Sequence, residues 1–447
     1  MRGSTSRAAH AGAAKRKTAA TGASDSTTAT ARRALGILRG ALPSTAPIEL
    51  ALASDPPSGN VVARVVFGSA GAVGRGLWPP TPNALGEAYL RGDVDVEGDL
   101  ASVARAVKAL DLRRVTWSQR LELLRTVFAL RRLSERPRAL TRGAALSGRR
   151  HSLARDRAAV RFHYDVGTEF YRLWLDERLT YSCAYFDDAH ADLDSAQEAK
   201  LALICRKLAL APGRSLLDIG CGWGSLIVYA GERYGVRAAG VTLSAKQASH
   251  ANSEAERRSL APRVRAEVRD YRELGDLGPF DAIASIGMFE HVGRSALPAY
   301  FRAAFAALRP GGLFLNHGIA TAMAPARRRF LSRWLETDFV NRHVFPDGEL
   351  VSLEVALAEA RAAGFVMIDL QSLRPHYALT LARWVERLER SREVAVRLVG
   401  EEVYRTWRLY MAGARAGFES GELDVAQLLL VRPPAGGPAI LPLRPWW

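Results

Sequence analysis

Three closely spaced glycines, in Gly220-Cys221-Gly222-Trp223-Gly224, follow the apolar run Ser215-Leu216-Leu217-Asp218-Ile219 and open a helical pattern. Glycines between a strand and a helix let the backbone approach a ligand and leave the helix N-terminus facing it. Alone, the Gly-x-Gly-x-Gly spacing suits a tight turn as well as a nucleotide loop. It is not the Gly-x-Gly-x-x-Gly of dinucleotide folds and no Lys-Ser/Thr pair follows, which favours S-adenosylmethionine over NAD or ATP. After the next strand, Thr242, Ser244 and Gln247 can hydrogen-bond a ribose or the methionine end of that cofactor, although Ser244 is equally suited to capping the following helix. Asp270, Tyr271 and Arg272 end the third strand, where an adenine would lie; a surface turn is the competing account. Asp218, on the strand before the glycine loop, completes the cofactor set expected from the sequence.

The elements that must position these residues alternate. Strand-like runs at 215–219, 236–241, 264–268, 280–286, 312–315 and 428–431 are separated by helical stretches, which predicts an α/β fold with a doubly wound, mainly parallel sheet. Residues 320–363 and 376–417 read as mostly helical and too long for connections, so they are expected to cap the carboxyl ends of the strands. Upstream, residues 34–112 combine an apolar helical opening (34–42) with a strand-like run at 60–67, a small α+β domain without a catalytic constellation. Residues 1–33 carry almost no large apolar side chains and are expected to be a disordered basic tail. Residues 113–160 read as an amphipathic Arg-rich helix and a linker, leaving 161–447 as the catalytic domain.

Three further motifs accompany the glycine loop: His163-Tyr164-Asp165-Val166-Gly167, Tyr181-Ser182-Cys183-Ala184-Tyr185-Phe186 and Gly287-Met288-Phe289-Glu290-His291-Val292-Gly293. Together, over residues 161–432, they resemble the cyclopropane-fatty-acyl-phospholipid synthases, a family that includes the mycolic acid cyclopropane synthases. Residues 34–112 resemble, more weakly, the N-terminal lipid-side domain of longer members. The resemblance implies a Rossmann-like class I methyltransferase with a seven-stranded sheet and a helical cap. It also implies methyl transfer from S-adenosylmethionine to a cis double bond of a lipid acyl chain, then closure of a cyclopropane ring with bound bicarbonate as base. Tyr181, Ser182, Gly220, Gly222, Gly224, Thr242, Gln247 and Tyr271 fall where the family contacts the cofactor, and Cys183, Glu290, His317, Ile319 and Tyr377 where it holds bicarbonate. Two positions depart from the pattern: Ala414 stands near where some relatives carry a cysteine, and Gly318 where many carry Thr.

The chemistry implied is demanding. An alkene is a weak nucleophile and must be held against the methyl donor, and the cation that follows needs a dry pocket with a base in place. Aromatic faces at Tyr164, Phe170, Tyr185, Phe289 and Tyr377 could stabilise that cation, although core packing also accounts for such residues. Collapse of the same cation to a methyl-branched or methylene chain, and N-methylation of a small molecule, are the alternative outcomes.

The chain has 447 residues and a formal net charge of +16, carried by two segments. Residues 1–33 hold seven Lys/Arg against Asp25, and residues 113–161 hold fourteen Arg against Glu122, Glu135 and Asp156. Between Val115 and Leu133, Trp117, Leu121, Leu124 and Phe128 recur at helical spacing among arginines. This pattern fits a connecting helix packed by one face, or a helix lying on an anionic phospholipid bilayer surface through 113–134. Nothing resembles a nucleic-acid platform, and a homodimer is compatible with the sequence. Without a secretory signal or spanning segment, a cytoplasmic protein peripheral to the inner face of the membrane is expected. Three cysteines, Cys183, Cys205 and Cys221, have no metal-ligand spacing, and no metal site is expected.

Overall fold

The computed structural model describes residues 25–59, 61–79, 81–132, 137–322, 339–438, 441 and 443–447. The chain divides into two compact units, 1–141 and 142–447.

In the first unit, strand β1 (Ile48–Leu52) pairs parallel with β2 (Ala63–Phe67), which pairs antiparallel with β3 (Val94–Gly98). A helix over residues 25–41 (α1) precedes them, so residues 25–33 are helical rather than part of the expected tail; residues 1–24 lie outside the described residues. Helices α2 (Ala70–Leu77), α3 (Pro82–Arg91) and α4 (Leu100–Lys108) surround the sheet. Ser69, Thr81 and Asp99 cap them, each side chain accepting from an orphan backbone N–H of the first turn. Helix α5 (Trp117–Arg132) buries Val127 and Leu130. It lies so close to α2 that a Cβ on Gly74 would come within 2.4 Å of the Arg131 nitrogen.

The first helix of the second unit is α6 (Leu153–Tyr164), so residues 153–160, read from sequence as linker, belong to that unit. Ser152 occupies the N-cap position, and no Gly or Pro interrupts the twelve residues that follow. The Arg-rich composition hid a helix whose Ala159 and His163 are buried.

The unit is built on a seven-stranded sheet in the order β6-β5-β4-β7-β8-β10-β9, with β4 (Ser215–Ile219), β5 (Arg237–Thr242), β6 (Val264–Val268), β7 (Phe280–Ile286) and β8 (Leu308–Thr321) parallel. Strand β10 (Leu423–Val431) runs antiparallel between β8 and β9 (Val366–Ser372). Helices α7 (Thr168–Arg172), α8 (Leu193–Lys207), α9 (Ser225–Tyr234), α10 (Ala245–Arg257) and α11 (Leu297–Ala307) connect them, and a helix over residues 339–343 (α12) precedes α13 (Leu353–Ala362). Strand β4 is buried at all five positions, as expected of a central parallel strand covered on both faces. The sheet has its topological switch between β4 and β7, from which the chain proceeds toward β5 on one side and toward β8 on the other, and ligands bind there in such folds.

The expectation that 320–363 is mostly helical needs correction. Strand β8 continues through Ala320 and Thr321, held by pairing with β10, and residues 323–338 lie outside the described residues. Strand β9 is absent from the sequence reading because its alternation is shallow and its residues are only half-buried or exposed. The helical reading of 376–417 matches α14 (Arg374–Arg390) and α15 (Arg392–Glu419).

Candidate active site

A cavity opens at the switch point, lined by Gly220 and Gly222 of the glycine loop and by Thr242, Leu243 and Gln247 after β5. Asp270 and Tyr271 after β6, Gly287, Met288 and His291 after β7, and Asp156, Ala159 and Tyr164 of α6 complete much of the wall. The three glycines hold φ of +85°, +54° and +89°, a region other residues enter only with strain. Their roles differ. A Cβ on Gly222 would meet nothing within 4 Å and marks where a ligand can touch bare backbone. A Cβ on Gly224 would sit 2.6 Å from that of Ala251, so Gly224 packs α9 against α10 rather than lining the cavity. On Gly220 it would lie 2.7 Å from Met288. Gly220→Val should therefore weaken S-adenosylhomocysteine binding about tenfold or more by titration, since a loop that relaxes away from the Met288 clash and the left-handed turn, a strain on the order of 1–3 kcal/mol, must be driven back into it to bind.

The remaining cofactor candidates divide in the same way. Thr242 Oγ donates to Gln247 Oε1 at 2.8 Å, while Gln247 Nε2 is buried without a partner. Ser244 is the N-cap of α10, its hydroxyl accepting from the Gln247 amide. Asp270 caps the turn Tyr271–Glu273 in a reciprocal capping box while still facing the cavity. Arg272 does not line it: its guanidinium is spent on Asp270 (2.6 Å) and Asp156 (2.8 Å). Asp218 is buried with Oδ1 unpartnered, and desolvation raises its carboxyl to about 7 against the favourable charge of Lys200. The cradle at Gly222, the orphan amide of Gln247 and the acid at Asp270 fit a ligand with a ribose and an adenine.

Beside this cavity stands a second group. Glu290 lies in the turn Phe289–His291, where its Oε1 accepts from the Ile319 amide at 2.7 Å and its Oε2 is buried without a partner. Desolvation outweighs that hydrogen bond and raises the carboxyl to about 7. His317, two residues before Ile319 on β8, is buried and driven down to about 3, so it is a neutral imidazole. Gln427 Nε2 lies 3.4 Å from its Nδ1, leaving a buried Nε2 without a partner.

Cys183, Tyr377 and Ile319 share one aromatic-rich cluster, in which the Tyr377 ring packs 4.7 Å from Phe418 and 5.9 Å from Trp384. Burial pushes the Tyr377 hydroxyl well above its ordinary range, and the nearby Glu290 carboxyl adds to that when ionised. The Cys183 thiol is likewise pushed up, and donates to the Ala184 carbonyl at 3.2 Å; such a thiol is no nucleophile. Tyr181 is partly buried, with its hydroxyl enclosed and without a hydrogen-bond partner. Gly318 is explained by packing, since a Cβ there would come within 2.6 Å of the Phe289 ring.

Sequence reasoning missed several wall residues. Met288 and His291 flank Glu290 in the motif already singled out, so their place was recoverable. Arg269, Pro346 and Asp347 carried no signal of their own, because their place depends on how loops meet above the sheet.

The mycolic acid cyclopropane synthetase family matches residues 151–428. A probable fatty acid methyltransferase of Pseudomonas putida is 39% identical over 366 residues, covering 82% of this chain and 86% of its own length. Cyclopropane mycolic acid synthase 1 of Mycobacterium tuberculosis is 39% identical over 278 residues, 60% of this chain and 95% of its own. Among solved structures, mycolic acid cyclopropane synthase CmaA1 complexed with SAH and CTAB aligns with a TM-score of 0.59 at 37% identity, over 62% of this chain and 98% of that one. Coclaurine N-methyltransferase shares the fold, with a TM-score of 0.52 at 23% identity over 59% of this chain and 81% of its own. With the glycine-loop cavity and the buried Glu290 group beside it, these likenesses establish that the chain belongs to the mycolic acid cyclopropane synthetase family of S-adenosylmethionine-dependent methyltransferases.

Proposed function

We propose that the enzyme methylates the cis double bond of an unsaturated phospholipid acyl chain and closes it to a cyclopropane. The observation that carries this reading is the pairing of a cofactor cavity with buried, unpartnered polar atoms, Glu290 Oε2 and His317 Nε2, next to Ile319, which packs on the aromatic-rich cluster. S-adenosylmethionine, when bound, supplies the electrophilic methyl group. The chain's residues hold the alkene and exclude water. Tyr164 packs 5.5 Å from Trp223, and Tyr181 packs 5.3 Å from Trp384; such faces tolerate a nearby cation without reacting with it.

Bicarbonate fits the second group: Glu290 Oε2 could accept its proton, His317 Nε2 and the Tyr377 hydroxyl could donate to its oxygens, and it would supply a base within the dry pocket. Glu290, ionised above about pH 7, would keep that base strong through its own charge.

A phospholipid substrate requires contact with a bilayer. Among the described residues no helix is long and apolar enough to cross a membrane. Helix α5, however, turns Trp117, Leu121, Leu124 and Phe128 outward, at 80%, 48%, 48% and 42% exposure. These four lie on one face, opposed to the packed Val127 and Leu130. The Arg120 and Arg132 guanidiniums stand over the Trp117 and Phe128 rings, each 4.5 Å from the ring centre. Large apolar groups beside arginines suit a helix lying in an anionic lipid surface, so we assign α5 to docking on the inner leaflet.

The proposal is tested by incubating the protein with methyl-labelled cofactor and vesicles of cis-unsaturated phosphatidylglycerol. Label is expected in the acyl chain; its absence across several unsaturated phospholipids would overturn the substrate assignment.

A further inference from the structure

Helix α8 turns two polar side chains, Gln197 and Lys200, into the interior one helical turn apart. Gln197 Nε2 donates to the carbonyls of Thr180 (3.2 Å) and Ser182 (2.9 Å), and the Lys200 ammonium donates to Ser182 Oγ at 2.9 Å. Both therefore grip the loop that carries Tyr181, Ser182 and Cys183, and the Tyr185 amide bonded to the Ala196 carbonyl at 3.0 Å fastens its far side. Lys200 is only 2% exposed. Burying an ammonium is costly, and an apolar side chain would fill the same space without that cost. Burial lowers the pKa of its ammonium to about 8, against the favourable charges of Asp176 and Asp218.

The hydrogen bond has a directional consequence. An ammonium can only donate, so Ser182 Oγ is the acceptor toward Lys200 and its own hydrogen must point elsewhere. Gly287, a wall of the cofactor cavity, adjoins this loop: a Cβ on it would lie 3.8 Å from that of Ser182 and 3.9 Å from the Tyr181 carbonyl oxygen. Gly287 follows β7, while Tyr271 follows β6, and these strands lie on opposite sides of β4. Ser182 thus stands at the opposite end of the cavity from the expected adenine.

We propose that Lys200 is a positioning residue for the cofactor, acting through Ser182: it turns the Ser182 hydroxyl into a donor aimed at the carboxylate of the methionine end of S-adenosylmethionine. This rests on the cavity being the cofactor site. The test is titration of the full chain with S-adenosylhomocysteine, which carries the carboxylate, and with methylthioadenosine, which lacks the whole amino-acid end.

Lys200→Met and Ser182→Ala should each weaken S-adenosylhomocysteine about tenfold, with the double variant no weaker than either single one, and should leave methylthioadenosine unchanged. Equal weakening of both ligands, or unchanged S-adenosylhomocysteine affinity in a folded variant, overturns the proposal. Should Lys200→Met not fold, Ser182→Ala titrated with decarboxylated S-adenosylmethionine decides. The unaltered chain should prefer the carboxylated cofactor about tenfold, and the Ser182 variant should lose that preference; retained preference overturns the proposal. Failure of the unaltered chain to bind S-adenosylhomocysteine would instead sink the cofactor reading itself.

Discussion

Glu290→Gln is expected to lower turnover by about 10²–10⁴-fold, the usual contribution of a placed acid–base group, while S-adenosylhomocysteine affinity stays within about twofold. The reason is that Gln keeps the hydrogen bond from the Ile319 amide and the shape of the turn, and loses only the charge and the proton-accepting Oε2. In the unaltered enzyme the carboxyl, raised to about 7, should impose an acid limb on the rate. Activity should fall about tenfold for each pH unit below 7, because the protonated acid cannot accept. The variant should lack that limb.

The same substitution should stabilise the fold at alkaline pH. A carboxyl near 4.5 when unfolded and about 7 when folded gives the native state its full stability below 4.5 and loses it as pH rises through 7. Above pH 7 the loss approaches about 3 kcal/mol, by the free-energy equivalent of that difference. By calorimetry, the Gln variant should therefore melt higher than the unaltered enzyme at pH 8, with the gap closing as pH falls toward 4.5. An unchanged rate with an unchanged melting curve would remove Glu290 from the mechanism and from the dry pocket alike.

Replacing Arg120, Arg125, Arg131 and Arg132 together with Gln should reduce partition onto phosphatidylglycerol vesicles by about 10³-fold at low salt, at about 1 kcal/mol for each arginine near the surface. The residual binding should depend less steeply on ionic strength, because part of the screened component is removed. Replacing Trp117 and Phe128 with Ser should also weaken partition, but by an amount that salt does not change, since their contribution is apolar burial. Cosedimentation with vesicles at two salt concentrations separates the two effects. Unaltered binding in both variants would reduce α5 to a connector between the two units.

The parts of this molecule most legible in its sequence were those whose signal is local. The strand-glycine-helix junction at 215–225 declares itself through apolar continuity and glycine spacing, and α5 through its period. Residues whose role comes from long-range placement were harder. Asp270 and Arg272 read as cofactor contacts, yet Arg272 is used up in ion pairs with Asp270 and with Asp156 of α6, a helix that the Arg-rich stretch concealed. Ser244 caps α10 and Gly224 packs against it, roles that depend on α10 lying where it does. In α5 the surprise lay in which side is packed. Its most apolar stripe faces outward apart from an edge contact of Phe128 with Trp78, and Val127, Leu130 and the partly buried Leu123, with the close approach that Gly74 permits, hold it. Lys200 had no signal at all, because a lysine within an ordinary helix looks solvated until the loop above it is known.

The reaction proposed for this enzyme places the methyl group in a ring on a lipid acyl chain. Mass spectrometry of the fatty acids of cells producing this protein, beside cells producing the Glu290→Gln variant, tests it most directly. A gain of about 14 mass units on monounsaturated chains, resistant to hydrogenation and absent from the variant, is expected, because each transfer adds one methylene in a saturated ring. The same gain on a chain that hydrogenation still reduces would contradict cyclopropane closure, and no gain on any acyl chain would contradict the lipid substrate altogether.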